Sequence, residues 1–185
     1  MLIGITGSKG SGKDTFAAVL IEKNFHNVKM ADALKEMLRS LYRYAGVDAE
    51  TIERKIEGDM KETPCRILGG KTPRHAMQTL GTEWGRDQIQ PTFWTDIWEA
   101  KVAGMLKDGT PVVVTDVRFP EECNRIRDLG GHIIRIERPG HVTGDGHASE
   151  TTMNSLQVDE TVYNDGSISR LHRKAEAFLK EVANA

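Results

Sequence analysis

The run Gly7-Ser8-Lys9-Gly10-Ser11-Gly12-Lys13-Asp14-Thr15 carries the densest chemistry in the sequence. Its spacing fits G-x-x-x-x-G-K. In that pattern glycines let backbone N–H groups curl around phosphate oxygens, and the lysine reaches the terminal phosphates. A helix opening at Lys13 would add the partial positive charge of its first turn. The expected ligand is a nucleotide phosphate chain. Asp14 stands where a serine or threonine commonly follows the lysine, and Thr15 comes next. Thr15 by its hydroxyl, or Asp14 by its carboxylate, could touch magnesium directly or through water. Asp14 also fits simple pairing with a helix dipole. An extra anion beside a triphosphate is costly without a cation or proton relay, which favours a working role for it.

A second acidic position ends the apolar run Val112-Val113-Val114, at Asp116. A carboxylate there can order a magnesium shell, so Thr15 and Asp116 are the expected metal ligands. Arg118, two residues on, could grip a phosphate with a two-pronged fork. The plainer alternative has Asp116 and Arg118 capping a helix opened by Pro120 and pairing with each other. The stretch from Arg74 to Asp87 interleaves Arg74, Gln78, Trp84 and Arg86 with glycines. Arginines suit an anion, an amide suits a base edge, and an indole suits stacking on a base. Met77, Leu80 and Trp84 at i, i+3 and i+7 also fit an ordinary core stripe on a helix.

These residues need a frame. Leu2–Thr6, Asn27–Met30, Pro111–Thr115, Ile133–Ile136 and Glu160–Tyr163 read as strands. Lys13–Asn24, Ala33–Tyr44, Thr92–Lys107, a segment opened by Pro120 and closed by Gly130-Gly131, and Ile168–Val182 read as helices, the last capped by Ser167. The middle, from Gly46 to Gln90, reads as polar and mainly helical. Strands alternating with helices predict an α/β fold: a three-layer, mostly parallel five-stranded sheet flanked by helices. Ligands of such sheets bind at the carboxyl ends of the strands. The residues leaving the five strands are Gly7 onward, Ala31-Asp32, Asp116-Val117-Arg118, Arg138 and Asn164-Asp165-Gly166.

The chain of 185 residues fits one domain with excursions. With 25 Lys and Arg against 27 Asp and Glu, it lacks the basic excess of a duplex-DNA binder. Cys65 and Cys123 are too few for a disulfide framework or a zinc cluster, and they read as buried thiols. No apolar run approaches a membrane span, and Met1–Thr6 leads straight into the glycine loop without a leader, so the cytoplasm is expected.

The chain resembles the phage-type deoxynucleoside monophosphate kinases. The resemblance rests on Gly12-Lys13-Asp14-Thr15, on Gln78 through Arg86, and on Asp116-Val117-Arg118-Phe119-Pro120-Glu121-Glu122. It continues through Leu129-Gly130-Gly131, Ile136 through Gly140, His147-Ala148-Ser149-Glu150 and Asn164-Asp165-Gly166. The family has the P-loop kinase fold. The resemblance implies transfer of the γ-phosphate of ATP, with Mg2+, to a deoxynucleoside monophosphate (dNMP). It divides one kinase domain, residues 1–185, into a core of 1–45, 108–138 and 156–185, an acceptor-binding insertion at about 46–107, and a lid at about 139–155. It makes Asp14 part of the family's own loop. It places the acceptor against Asp32, Lys35, Arg74, Gln78, Trp84, Arg86, Arg118 and Glu150. The implied partners are that small substrate and a second copy of the chain, with no nucleic-acid polymer and no membrane. A phage-encoded enzyme would work in the host cytoplasm.

An acceptor phosphate is already anionic at neutral pH, since its second pKa is ~6, so no base is needed to create the nucleophile. Catalysis must come from alignment and charge neutralisation by Lys13, Asp14, Arg118 and Arg138. A salt bridge to a lid carboxylate is the alternative for Arg138. Asn164-Asp165-Gly166 border the adenine of ATP or simply turn into the last helix. Two rival functions are compatible with the glycine loop: another kinase of the same fold, such as one for dephospho-coenzyme A, and an ATP-dependent switch without phosphotransfer. His141, His147 and Asp145 share the lid segment, but scattered histidines in a glycine-rich loop are ordinarily solvated.

Overall fold

A computed structural model describes residues 1–140, 153 and 155–184. Strand β1, Leu2–Thr6, is buried at all five positions, as an unbroken apolar run requires when helices cover both faces. The glycine loop leads into helix α1, Lys13–Glu22. The further strands are β2, His26–Asn27; β3, Val112–Val114; β4, His132–Glu137; and β5, Glu160–Tyr163. They form one parallel sheet in the order β2-β3-β1-β4-β5. The expected α/β fold, with a parallel five-stranded sheet, is therefore present. Among the described residues no helix is long and apolar enough to cross a membrane.

Side chains on successive strand residues point to opposite faces, and two cores follow from that. Ile3, Ile5, Val113, Ile134 and Ile136 pack with Phe16 and Leu20 of α1 and with Leu171 and Phe178 of the closing helix α7, Ile168–Asn184. Leu2, Val112, Val114 and Ile133 pack on the other face. There they meet Trp98 and Val102 of α5, Phe93–Lys107, and Cys123 and Ile126 of α6, Pro120–Asp128. Gly4 lets α6 close on the sheet, because a Cβ there would meet Ile126 Cδ1 at 2.8 Å.

The second strand differs from expectation. Asn27–Met30 was the expected span, but the ladder covers His26–Asn27. Val28 and Met30 are buried as a strand would bury them. Val28 N still donates to Val113 O of β3 at 3.0 Å. Past that bond the main chain meets side chains: Val28 O accepts from Trp98 Nε1 at 2.9 Å, and Met30 N donates to Asp116 Oδ1 at 2.9 Å. Side chains from distant sequence thus take over from β3 after Val28 N.

The chain packs as two compact units, Met1–Met30 with Trp98–Ala185, and Ala31–Ile97. The first holds the whole sheet. The second is helical: α2, Asp32–Tyr44; α3, Ala49–Ile56; short 3-10 turns at Asp59–Glu62 and Arg66–Leu68; and α4, Pro73–Thr79. The expected division counted residues up to 45 with the core. Leu38 and Tyr42 of α2 instead pack with Ile52, Ile56 and Cys65, which draws α2 into the helical unit. At the other end Trp98 and Val102 pack in the sheet unit, so α5 belongs to both. On the helical unit's surface Arg39 binds Glu36, Glu53 and Glu57, and Lys35 binds Glu57 at 2.8 Å.

Candidate functional site

In the sheet unit, parallel pairing brings every strand exit to one edge. Along it lie the glycine loop after β1, Asp116–Arg118 after β3, Arg138 after β4 and Asn164–Gly166 after β5. Gly7 has φ +139°, and a Cβ there would meet Ile136 O at 2.3 Å. Gly12, which opens α1, has φ +105°. A side chain at either position would be strained. As the N-cap of α1, Gly12 makes no side-chain cap bond, and Asp14 stands exposed in the first turn.

Lys13 folds back over the loop. Its Nζ donates to Gly7 O at 2.7 Å and Ser8 O at 2.8 Å. Two hydroxyls at the loop, Thr6 Oγ1 and Ser11 Oγ, are buried with no hydrogen-bond partner among the described residues. Buried hydroxyls ordinarily find partners, and phosphate oxygens would supply them. The glycine geometry, the lysine and these hydroxyls together fit a nucleotide phosphate chain. Asn164 Nδ2 donates to Ser11 O at 2.9 Å, which ties the β5 exit to the loop. Asp165 pairs with Lys174 at 2.8 Å and Arg170 at 3.4 Å. The Lys174 hydrogen bond holds the Asp165 carboxyl below its ordinary range. Ser167 Oγ accepts from Arg170 N at 3.3 Å, as expected of the cap of α7.

Thr15 and Asp116 are both half-buried at this edge. A hydroxyl and a carboxylate are hard oxygen donors of the kind magnesium takes, so the residues fit the ion. The bond from Met30 N orients the Asp116 carboxylate. The alternative in which Asp116 and Arg118 cap α6 is not what the structure shows. Glu122 does that work: its Oε2 accepts from Arg118 N at 2.7 Å and Phe119 N at 3.1 Å. This leaves the Arg118 side chain exposed, like that of Arg138. The sequence signal for Glu122 was an acidic residue in the first turn after Pro120.

The helical unit holds the other expected site residues. Asp32 opens α2. Lys35 is engaged with Glu57, and Arg74 Nε pairs with Glu62. Gln78 is half-buried on α4. The block that follows, Leu80–Ile89, winds as a π-helix. Trp84 rides on it, 5.3 Å from Phe93 in an edge-to-face pair and 6.0 Å from Trp94. Arg86 Nη1 makes a long contact to Pro91 O at 3.4 Å. Met77 and Leu80 pack against the unit's core, as the stripe reading had it, whereas Trp84 joins an aromatic cluster. The π winding and the part played by Trp94 escaped the sequence reading. Glu150 and the other lid positions, His147 and Ser149, lie outside the described residues, as do His141 and Asp145.

Comparison with known proteins gives this geometry a context. Residues 71–175, more than half of the chain, match the family described as deoxynucleotide monophosphate kinase. A protein of Acanthamoeba polyphaga mimivirus, provisionally named a deoxynucleotide monophosphate kinase, is 34% identical over 93% of this chain and 92% of its own. The deoxynucleotide monophosphate kinase of Escherichia phage RB69 is 25% identical over 85% of this chain and 70% of its own. Among solved structures, a dephospho-CoA kinase from Campylobacter jejuni superposes with a TM-score of 0.52 at 16% identity, covering 99% of this chain and 97% of that one. That likeness concerns the fold alone. The family match and the mimivirus relative show more: the chain belongs to the deoxynucleotide monophosphate kinase family.

Proposed function

We propose that this protein transfers the γ-phosphate of ATP to a deoxynucleoside monophosphate, giving ADP and the diphosphate. The carrying observation is the glycine loop with Lys13 at the carboxyl edge of the sheet, in a chain of this family. Relatives named as deoxynucleotide monophosphate kinases support the acceptor class.

Gly7 through Thr15 hold the donor phosphates, and Lys13 neutralises the β,γ end. Asn164, Asp165 and Gly166 border the adenine. Arg118 grips the acceptor phosphate, and Arg138 meets charge on the group in transit. Arg74, Gln78, Trp84 and Arg86 of the helical unit take the acceptor nucleotide, with Asp32 and Lys35 of that unit and Glu150 of the lid segment as further contacts. Magnesium, held by Thr15 and Asp116 with Asp14 nearby, would supply charge neutralisation across the phosphates. The acceptor phosphate is the nucleophile and needs no base, so these residues act by alignment and by cancelling repulsion between two anions. A small substrate drawn from the nucleotide pool fits a cytoplasmic site of action.

A coupled ADP-release assay with a panel of ribo- and deoxyribonucleoside monophosphates, and with dephospho-coenzyme A, tests this. Acceleration by one or more deoxynucleotides is expected. ATP binding with no acceptor effect would point to a switch, and acceleration by dephospho-coenzyme A alone would point to a different kinase.

A further inference from the structure

Leu80–Ile89 is a π-helix of 10 residues. Such winding is rare and is ordinarily confined to one turn, so a local cause is needed. Trp94 supplies two contacts that provide it. Its Nε1 donates to Gly81 O at 2.8 Å. Its ring lies so close to Gly85 that a Cβ there would meet Nε1 at 2.3 Å and Cε2 at 2.6 Å. The indole thus engages a carbonyl in the first turn of the segment and fills a space that only glycine leaves. Trp94 is 3% exposed, and Phe93 and Trp84 pack against it. Arg86 follows Gly85 directly, so Trp84 and Arg86 ride on the turns that the indole fixes.

We propose that Trp94 is a positioning residue for the acceptor. By clamping Gly81 and Gly85 it holds the π winding that aims Trp84 and Arg86 at the acceptor nucleotide. This rests on the reading of the block as acceptor-binding. The donor loop belongs to the sheet unit and has no part in the clamp, so the effect falls on acceptor binding.

The test is Trp94→Phe, which keeps a ring and removes the N–H. The expected result is an acceptor KM raised about tenfold, as small misplacements of substrate-positioning groups produce. The KM for ATP should stay within about twofold, and amide hydrogen exchange at residues 86–90 should quicken. If this variant melts below the assay temperature, Gly85→Ala drives a methyl into the indole and should give the same split. An unchanged acceptor KM in a folded variant overturns the proposal. Equal rises in both KM values also overturn it, because they mark general loosening. A wild-type protein inert towards every acceptor would remove the proposed function itself. That result is distinct from an active wild type with an unaffected Trp94→Phe.

Discussion

Asn164 and Ser11, far apart in sequence, are joined by a hydrogen bond of 2.9 Å from the Asn164 amide to the Ser11 carbonyl. The same amide nitrogen stands 2.6 Å from where a Cβ on Gly12 would lie. The exit of β5 therefore braces the glycine loop at the residue that opens α1. Asn164 is a support for the loop as well as a neighbour of the proposed adenine site.

Asn164→Ala should loosen the loop while leaving the acceptor side intact. One neutral hydrogen bond contributes about 1 kcal/mol net, or roughly a fivefold change in a binding constant. Steady-state kinetics should show the KM for ATP rising by about that factor, with the acceptor KM unchanged. A rise confined to the acceptor would contradict the bracing role.

Lys13→Ala should nearly abolish turnover. The lysine ammonium is held over the loop by Gly7 O and Ser8 O. Removing a preorganised group of this kind costs about 10²–10³ in kcat. ADP release measured at saturating ATP checks it. Near-normal activity would remove the phosphate-loop assignment.

The glycine loop was legible because its backbone shape is written in residue types at fixed spacing: Gly7 and Gly12 have φ values that other residues avoid. Asp116 and Arg118 were legible as the polar end of an apolar run. The second strand ends earlier than expected because burial of Val28 and Met30 looks the same whether the main chain stays on β3 or, as here after Val28 N, turns to Trp98 and Asp116. The π winding left no periodic trace, since Met77, Leu80 and Trp84 also satisfy ordinary helical spacing. What accompanies it is an indole on the next helix, meeting two glycines whose contacts only the fold reveals.

Glu122 should matter for stability out of proportion to its place on a helix surface pattern. It is 2% exposed and takes two backbone N–H groups at the start of α6. Glu122→Ala leaves both donors unsatisfied and should cost about 2 kcal/mol. Glu122→Gln keeps an acceptor oxygen but loses the charge favoured at a helix start, and should cost about 1 kcal/mol. Urea melts of the three proteins would establish the ranking, and an alanine variant as stable as the wild type would refute the cap.

Tyr42 gives the helical unit a pH dependence with a definite sign. Its ring is fully buried, and its hydroxyl has no hydrogen-bond partner of good geometry among the described residues. Burial, with the Cys65 sulfur facing it, pushes the phenol from its ordinary value near 10 up to about 12. The folded-state pKa lies above the unfolded one, so the folded protein holds this proton more tightly. The associated stability is complete below pH ~10 and is lost as pH rises towards ~12. Tyr42→Phe removes the titrating group, and because the hydroxyl has no good partner the change should cost less than about 1 kcal/mol at neutral pH. Denaturant melts at pH 8 and pH 11 should show the wild type losing more stability between them than Tyr42→Phe. The rest of the chain is the same in both proteins, so the difference between the two pH profiles isolates the phenol. Identical profiles would mean that Tyr42 ionises in the folded chain as readily as in the unfolded one.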